Sequence, residues 1–256
     1  MDELLYDVAD GVGTITFNRP AQRNALTWAM YDGLVAAIRA ADSDPQVRAV
    51  VITGAGDKAF AAGTDIGQFR AFSKPEDAVD YEYRIDAVLT VLETCGKPVI
   101  AAIAGACTGG GAGIAACCDI RIAAEGARFG FPIAKTLGNC LSMSNLARLS
   151  ALVGPARVKE MIFTARLLDA AEAHAAGLVS ELLPNPETLR ARATELARAV
   201  GANAPLTLRA TKAQLLALRG RVAEDESLFL MCYESEDFRE GMEAFLAKRP
   251  PVWKGR

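Results

Sequence analysis

The 256-residue chain contains a single histidine, His174, and that scarcity removes several kinds of enzyme at once. Serine or cysteine nucleophiles of the triad type need an imidazole within reach. His174 lies in Asp169-Ala170-Ala171-Glu172-Ala173-His174-Ala175-Ala176-Gly177, a helical pattern closed by glycine, and reads as a surface position. Histidine-based metal chemistry loses support for the same reason, and no metal site is expected. The cysteines, Cys95, Cys107, Cys117, Cys118, Cys140 and Cys232, form no C-x-x-C pair and read as reduced thiols. No apolar run approaches the roughly 20 residues that span a bilayer, and the start, MDELLYDVADG, is acidic where a signal peptide is basic. A cytoplasmic location without a membrane partner is the expectation. A charge field of one sign is also missing: 28 Lys plus Arg face 31 Asp plus Glu, so nucleic acid is not an expected partner. Low-complexity tracts and strict repeats are absent too.

Apolar residues, in contrast, make up 51% of the chain, enough for a large α/β core. Leu4–Val8 and Val12–Phe17 are short β-type runs around Ala9-Asp10-Gly11, a hairpin signal. Leu26, Met30, Leu34, Ala37, Ile38 and Ala41 then recur at helical spacing behind Thr27, a candidate N-cap. Arg48–Thr53 and Pro98–Ile103 read as strands, and Pro75–Thr94 between them as a helix with the stripe Ala78, Tyr81, Ile85, Val88, Leu89, Leu92. Thr108–Cys118, all glycine and small apolar residues, predicts a buried helix entered through a glycine turn, followed by a strand at Asp119–Ala123. The order predicts an α/β fold of repeated β-β-α units. Beyond about Ser142 only Leu178–Leu183 has comparable β propensity, and the joint Pro184-Asn185-Pro186 separates residues 1–184 from a helical region, 185–256.

Two segments pass from strand to helix through small residues: Ala59-Phe60-Ala61-Ala62-Gly63-Thr64-Asp65-Ile66 and Ala104-Gly105-Ala106-Cys107-Thr108-Gly109-Gly110-Gly111-Ala112-Gly113. Exposed N–H groups at a helix start attract negative charge, and glycine lets another molecule approach the backbone. The same glycines also fit a dinucleotide fingerprint, Gly111-Ala112-Gly113-Ile114-Ala115-Ala116, without the acidic residue expected about 20 positions on.

Together with Asn18-Arg19-Pro20, Arg23-Asn24-Ala25-Leu26, Val51-Ile52-Thr53-Gly54, Lys97-Pro98-Val99-Ile100-Ala101-Ala102, Cys118-Asp119-Ile120-Arg121-Ile122-Ala123 and Glu240–Pro251, these segments resemble the enoyl-CoA hydratase/isomerase, or crotonase, superfamily. The resemblance implies a crotonase-like spiral of β-β-α units with a C-terminal helical trimerisation region, assembled as trimers or dimers of trimers. It implies an acyl-coenzyme A substrate, with coenzyme A arriving as part of that substrate and no permanently bound cofactor. The thioester oxygen would be held by the backbone N–H groups of Thr64 and Gly110. Arg23, Ala61, Ala62, Asp65 and Ile66 would follow the adenine-pantetheine arm, and Phe245 and Lys248 would approach a coenzyme bound to a neighbouring subunit.

The chain departs from the hydratase pattern at both catalytic glutamates, where it has Gly113 and Ile133. Cys140 and Glu82 are the substitute acid/base candidates. Cys140 falls near the aspartate of a dehalogenase-like branch, and Glu82 sits on the shoulder of the Pro75–Thr94 stripe, facing either a pocket or solvent. Asp86 and Lys135 are weaker candidates. Three readings follow: an acyl-CoA enzyme with atypical acid/base residues, a non-catalytic acyl-CoA binder, and an NAD-binding enzyme.

Overall fold

A computed structural model describes residues 2–219, 230 and 233–252. β1 (Leu4–Ala9) and β2 (Val12–Phe17) form the expected hairpin, turning through Asp10 and Gly11, both at positive φ. Aspartate followed by glycine suits the left-handed two-residue turn that matches strand twist. α1 (Trp28–Ser43) starts at Thr27, whose hydroxyl accepts the Met30 N–H at 3.2 Å. Its buried face contains Met30, Leu34, Ala37, Ile38 and Ala41 as the spacing predicts, and also Tyr31.

The β-β-α unit then recurs three times. β3 (Ala49–Gly54), β4 (Ala59–Ala62) and α2 (Pro75–Thr94) form one unit, with a 3-10 helix, Ile66–Ala71, before α2. β5 (Val99–Ile103), β6 (Ala106–Thr108) and α3 (Gly110–Cys117) form the next. β7 (Ile120–Ala124), β8 (Arg128–Gly130) and α4 (Ile133–Thr136) form the last. The first strand of each joins a six-stranded sheet, β1-β2-β3-β5-β7-β10, and the second a four-stranded sheet, β4-β6-β8-β9. β3, β5 and β7 run parallel, as do β4, β6 and β8.

The remaining elements are α5 (Met143–Thr164), β9 (Leu168–Asp169), α6 (Ala170–Ala175), β10 (Glu181–Leu183), α7 (Pro186–Gly201), α8 (Pro205–Arg219) and α9 (Glu236–Leu246). α5 changes direction at Gly154-Pro155, where Gly154 has φ 76°. Only the end of the expected Leu178–Leu183 strand pairs, as β10 beside β7.

Both faces of the larger sheet are covered, which explains why its strands are apolar at consecutive positions. Val50 and Ile52 face α1, α2 and α3, while Ala49 and Val51 face Leu189, Ala193 and Ala197 of α7. α7 lies beyond the joint at 184/185 yet forms one layer of the core, so packing carries the core past that boundary. α8, in contrast, buries none of its residues in the single chain. Among the described residues no helix is long and apolar enough to cross a membrane.

Candidate active site

Parallel pairing brings the ends of β4, β6 and β8 side by side, with Ala62 opposite Thr108 and Thr108 opposite Gly130. The chain leaves these strands as Gly63-Thr64, Gly109-Gly110 and Phe131-Pro132-Ile133. All three exits border one cavity of about 210 Å³, closed by α2, α5 and Phe245 of α9.

Two backbone donors are left at the first two exits. Leu26 donates its N–H to the Gly63 carbonyl at 2.8 Å and accepts the Asp65 N–H at 2.9 Å. That parallel bridge turns the N–H of Thr64 away from Leu26. Gly110 opens α3, where an N–H has no carbonyl one turn earlier. Among the described residues neither N–H is given to another backbone carbonyl. Glycine at 110 is required by close approach: an added Cβ would collide with the Tyr31 hydroxyl and lie 2.9 Å from Thr64 Oγ1. At Gly111 it would overlap the Ala61 carbonyl. Gly111 of the dinucleotide-like pattern thus serves the packing of α3 on β4.

Hydroxyls line one side of the cavity. Thr64 Oγ1 is 2.8 Å from the Tyr31 hydroxyl and 3.2 Å from that of Tyr81. Burial pushes both phenols above their ordinary range and keeps them neutral. Glu82 is buried on the cavity and accepts the Tyr233 hydroxyl, whose oxygen also receives the Asn139 side-chain N–H at 3.3 Å. Burial, followed by the Glu82 charge, raises Tyr233. Cys140 borders the same space, as do Gly113 and Ile133. A Cβ on Gly113 would sit 3.7 Å from Leu89 Cδ1, an ordinary contact, so this position has room for a methyl group.

Other sequence candidates are engaged elsewhere. Asp86 pairs with buried Arg148 at 2.7 Å, and Arg148 also binds Glu93 at 3.0 Å; the ion pair, not the cavity, takes the Asp86 carboxylate. Lys135 and His174 are exposed. Arg23 is exposed, and its carbonyl accepts the Ala62 N–H at 3.0 Å. Ala61 is fully buried, whereas Ala62 and Ile66 reach the cavity. Asp65 caps the 3-10 helix through Gly67 and pairs with Arg19 at 3.1 Å. Phe245, half exposed, borders the cavity of its own chain, and Lys248 is exposed at φ 53°. Burial pushes the Cys107 and Cys117 thiols up, and Cys118 to about 12, which suits inert thiols. Cys232 lies outside the described residues. Among the described residues no cluster of metal-ligating side chains is found. Tyr31, Asn139 and Tyr233 are cavity-wall or neighbouring groups that sequence reasoning missed. Tyr31 sits beside the apolar stripe of α1, a position that periodicity reads as packing.

A spiral of β-β-α units whose strand ends offer paired backbone donors to one cavity defines a crotonase-fold protein. A family model described as enoyl-CoA hydratase/isomerase matches residues 7–256, and the chain belongs to that family. It is 36% identical over 261 residues to 2,3-dehydroadipyl-CoA hydratase of Escherichia coli K12, covering 100% of both chains. It is 34% identical to crotonyl-CoA hydratase of Syntrophomonas wolfei, over 97% of this chain and 96% of that one. Among solved structures, an enoyl-CoA hydratase/carnithine racemase from Magnetospirillum magneticum superposes with a TM-score of 0.81 at 35% identity, covering 100% of this chain and 97% of that one. Methylmalonyl-CoA decarboxylase in complex with 2-nitronate-propionyl-CoA superposes with a TM-score of 0.90 at 27% identity, covering 99% of each.

Proposed function

We propose that this protein acts on an acyl-coenzyme A thioester and holds its enolate-like oxygen with the backbone N–H groups of Thr64 and Gly110. The observation that carries the reading is the pair of N–H groups left at adjacent strand exits on one cavity. Loss of a proton beside a thioester moves negative charge onto its oxygen, and fixed donors in a site of low polarity stabilise that charge most when it is fully developed. Coenzyme A enters as part of the substrate along Arg23, Ala61, Ala62, Asp65 and Ile66, with Phe245 and Lys248 at the mouth.

Among the described residues Glu82 is the carboxylate that borders the cavity. It is the proposed proton carrier, with Cys140 as the second candidate. One carboxylate that takes a proton from one carbon and returns it to another suits an enolate-forming proton shift. Hydration through two glutamates finds Gly113 and Ile133 in their place, and that substitution favours, as a second reading, a binder that retains acyl-CoA without converting it.

Incubation in deuterated water with saturated, 2-enoyl, 3-enoyl and malonyl-type coenzyme A thioesters, followed by mass spectrometry, separates these readings. The expected result is deuterium at the carbon beside the thioester, slowed about 10²-fold or more by Glu82→Gln. Unchanged exchange in that variant moves the role to Cys140, tested by Cys140→Ser. Tight binding with neither exchange nor conversion leaves the binder. The helix α8, with Leu206, Leu215 and Leu218 exposed, supports self-association as a trimer or dimer of trimers.

A further inference from the structure

Three hydroxyls meet beside the proposed oxyanion position, and the number of their protons has a chemical consequence. Tyr31, Thr64 and Tyr81 form a chain of two links, 2.8 Å and 3.2 Å long, centred on Thr64 Oγ1. Each neutral hydroxyl carries one proton. Two protons make the two links, so one O–H is left over in every arrangement. Among the described residues none of the three oxygens has a further hydrogen-bond partner, and all three residues border the cavity. The spare proton therefore has the cavity contents as its acceptor, because a buried donor without a partner is destabilising.

Which oxygen keeps it follows from acidity. Phenols are the stronger donors and alkyl hydroxyls the stronger acceptors, so both tyrosines donate and Thr64 accepts twice. A hydroxyl that accepts two hydrogen bonds becomes a stronger donor itself. Thr64 Oγ1 also lies against the start of α3: a Cβ on Gly110 would be 2.9 Å from it. We infer that the Thr64 side-chain hydroxyl, oriented by Tyr31 and Tyr81, is a third donor to the acyl oxygen, beside the N–H groups of Thr64 and Gly110.

This rests on the acyl-CoA reading and deepens it. A thioester carbonyl oxygen has two lone pairs, which the two backbone donors occupy; an enolate oxygen has three. The third donor is satisfied only when the enolate forms, so it acts on turnover and leaves binding almost unchanged. Thr64 is the catalytic residue of the set, and Tyr31 and Tyr81 are positioning residues.

The test is hydrogen exchange of butyryl-coenzyme A in deuterated water, with its dissociation constant measured alongside. Thr64→Val keeps the backbone donor and the shape while deleting the hydroxyl. The expected exchange rate falls about 10²-fold with the dissociation constant within twofold. Thr64→Ser restores the rate to within about threefold to fivefold of the original, and Tyr31→Phe and Tyr81→Phe each lower it severalfold without weakening binding. If wild type exchanges and folded Thr64→Val exchanges within threefold of it, the third donor is refuted and the backbone pair stands. If wild type binds butyryl-coenzyme A without exchange, both the third donor and the enolate reading fail. A cooperative melting transition well above the assay temperature in Thr64→Val, whose midpoint falls because two tyrosine hydroxyls lose their acceptor, shows that the comparison is between folded proteins.

Discussion

Gly111 and Gly113 lie two residues apart in α3, yet the same substitution should move stability in opposite directions at the two sites. Gly113 is in the interior of the helix with its N–H bonded to the Gly109 carbonyl at 2.9 Å. An alanine Cβ there would meet Leu89 Cδ1 at 3.7 Å and Asn145 Oδ1 at 3.9 Å, both ordinary contacts. Replacing a helical glycine by alanine is worth about 0.5–1 kcal/mol through the backbone entropy of the unfolded chain. The methyl also fills apolar space, contributing up to about 0.8 kcal/mol. Gly113→Ala is therefore expected to stabilise by about 1–1.5 kcal/mol, or roughly 2–5 °C in melting midpoint for a chain of this size. Gly111→Ala gains the same backbone term but drives its Cβ into the Ala61 carbonyl and to 2.7 Å from the Ala61 side chain. β4 and α3 must separate, at a cost of about 1–3 kcal/mol. The net effect is destabilising, and the two variants should differ by roughly 2–3 kcal/mol. Urea unfolding followed by circular dichroism at fixed protein concentration measures both. A destabilised Gly113→Ala, or two variants of equal stability, would refute the claim that position 113 has room for a methyl group while position 111 is a close packing contact.

Three further outcomes are expected. Asn24 is fully buried at φ 55°, donates to the Ala55 and Ala59 carbonyls at 3.1 and 2.8 Å and accepts the Arg19 N–H at 2.9 Å; Asn24→Ala should lose roughly 3–5 kcal/mol in chemical unfolding. Tyr31, Tyr81 and Tyr233 have phenols raised in the folded state, so the native state retains protons that the unfolded chain releases above about pH 10. Stability is then present below pH 10 and falls above it, with a slope of up to roughly 4 kcal/mol per pH unit; a flat unfolding midpoint between pH 9.5 and 11 would contradict their burial. Leu215→Glu with Leu218→Glu on α8 should convert the assembly to single chains in analytical ultracentrifugation while circular dichroism stays unchanged, and an unaltered sedimentation coefficient would remove α8 from the interface.

The parts of the fold that could be read from residues alone are those with long, strong periodicity. α1 and α2 show it, as do the Val/Ile runs of β3 and β5, whose two buried faces demand apolar residues at every position. β6, β8 and β9 are two or three residues long and include Arg128, Gly130 and Asp169. They are strands because a parallel or antiparallel neighbour supplies their hydrogen bonds, a tertiary cause that local propensity does not register. The site divides in the same way. The glycine-rich strand exits were marked by composition, and the family resemblance singles out Thr64 and Gly110 within them. Glu82 was visible only as a residue on the edge of a stripe, and the fold decides that this edge faces the cavity. Tyr233 reaches Glu82 across 151 positions of sequence, and no spacing rule connects them. Asp86 shares the helix with Glu82, but Arg148 of α5 captures it.

The two halves of the site are therefore built by different physics and can change independently. The donors proposed for the acyl oxygen come from backbone at the ends of β4 and β6, fixed by sheet register and by glycines that close approach requires. No substitution at Thr64 except proline removes its N–H, so this half persists while side chains drift. The groups proposed to move protons, Glu82 of α2 and Cys140 after α4, are side chains on the same cavity. Relatives named hydratase and decarboxylase share this fold at 36% and 27% identity, as expected if the strand ends set the intermediate and the opposing helices set its fate. In this chain α3 and the start of α4 carry Gly113 and Ile133 on the cavity, and the carboxylate proposed to act, Glu82, stands on α2. If Glu82 carries the proton, transfer is expected on the face turned toward α2, and deuterium uptake beside the thioester that is stereospecific in the wild type loses that selectivity in Glu82→Gln. Selectivity and rate unchanged in Glu82→Gln assign the proton to another group.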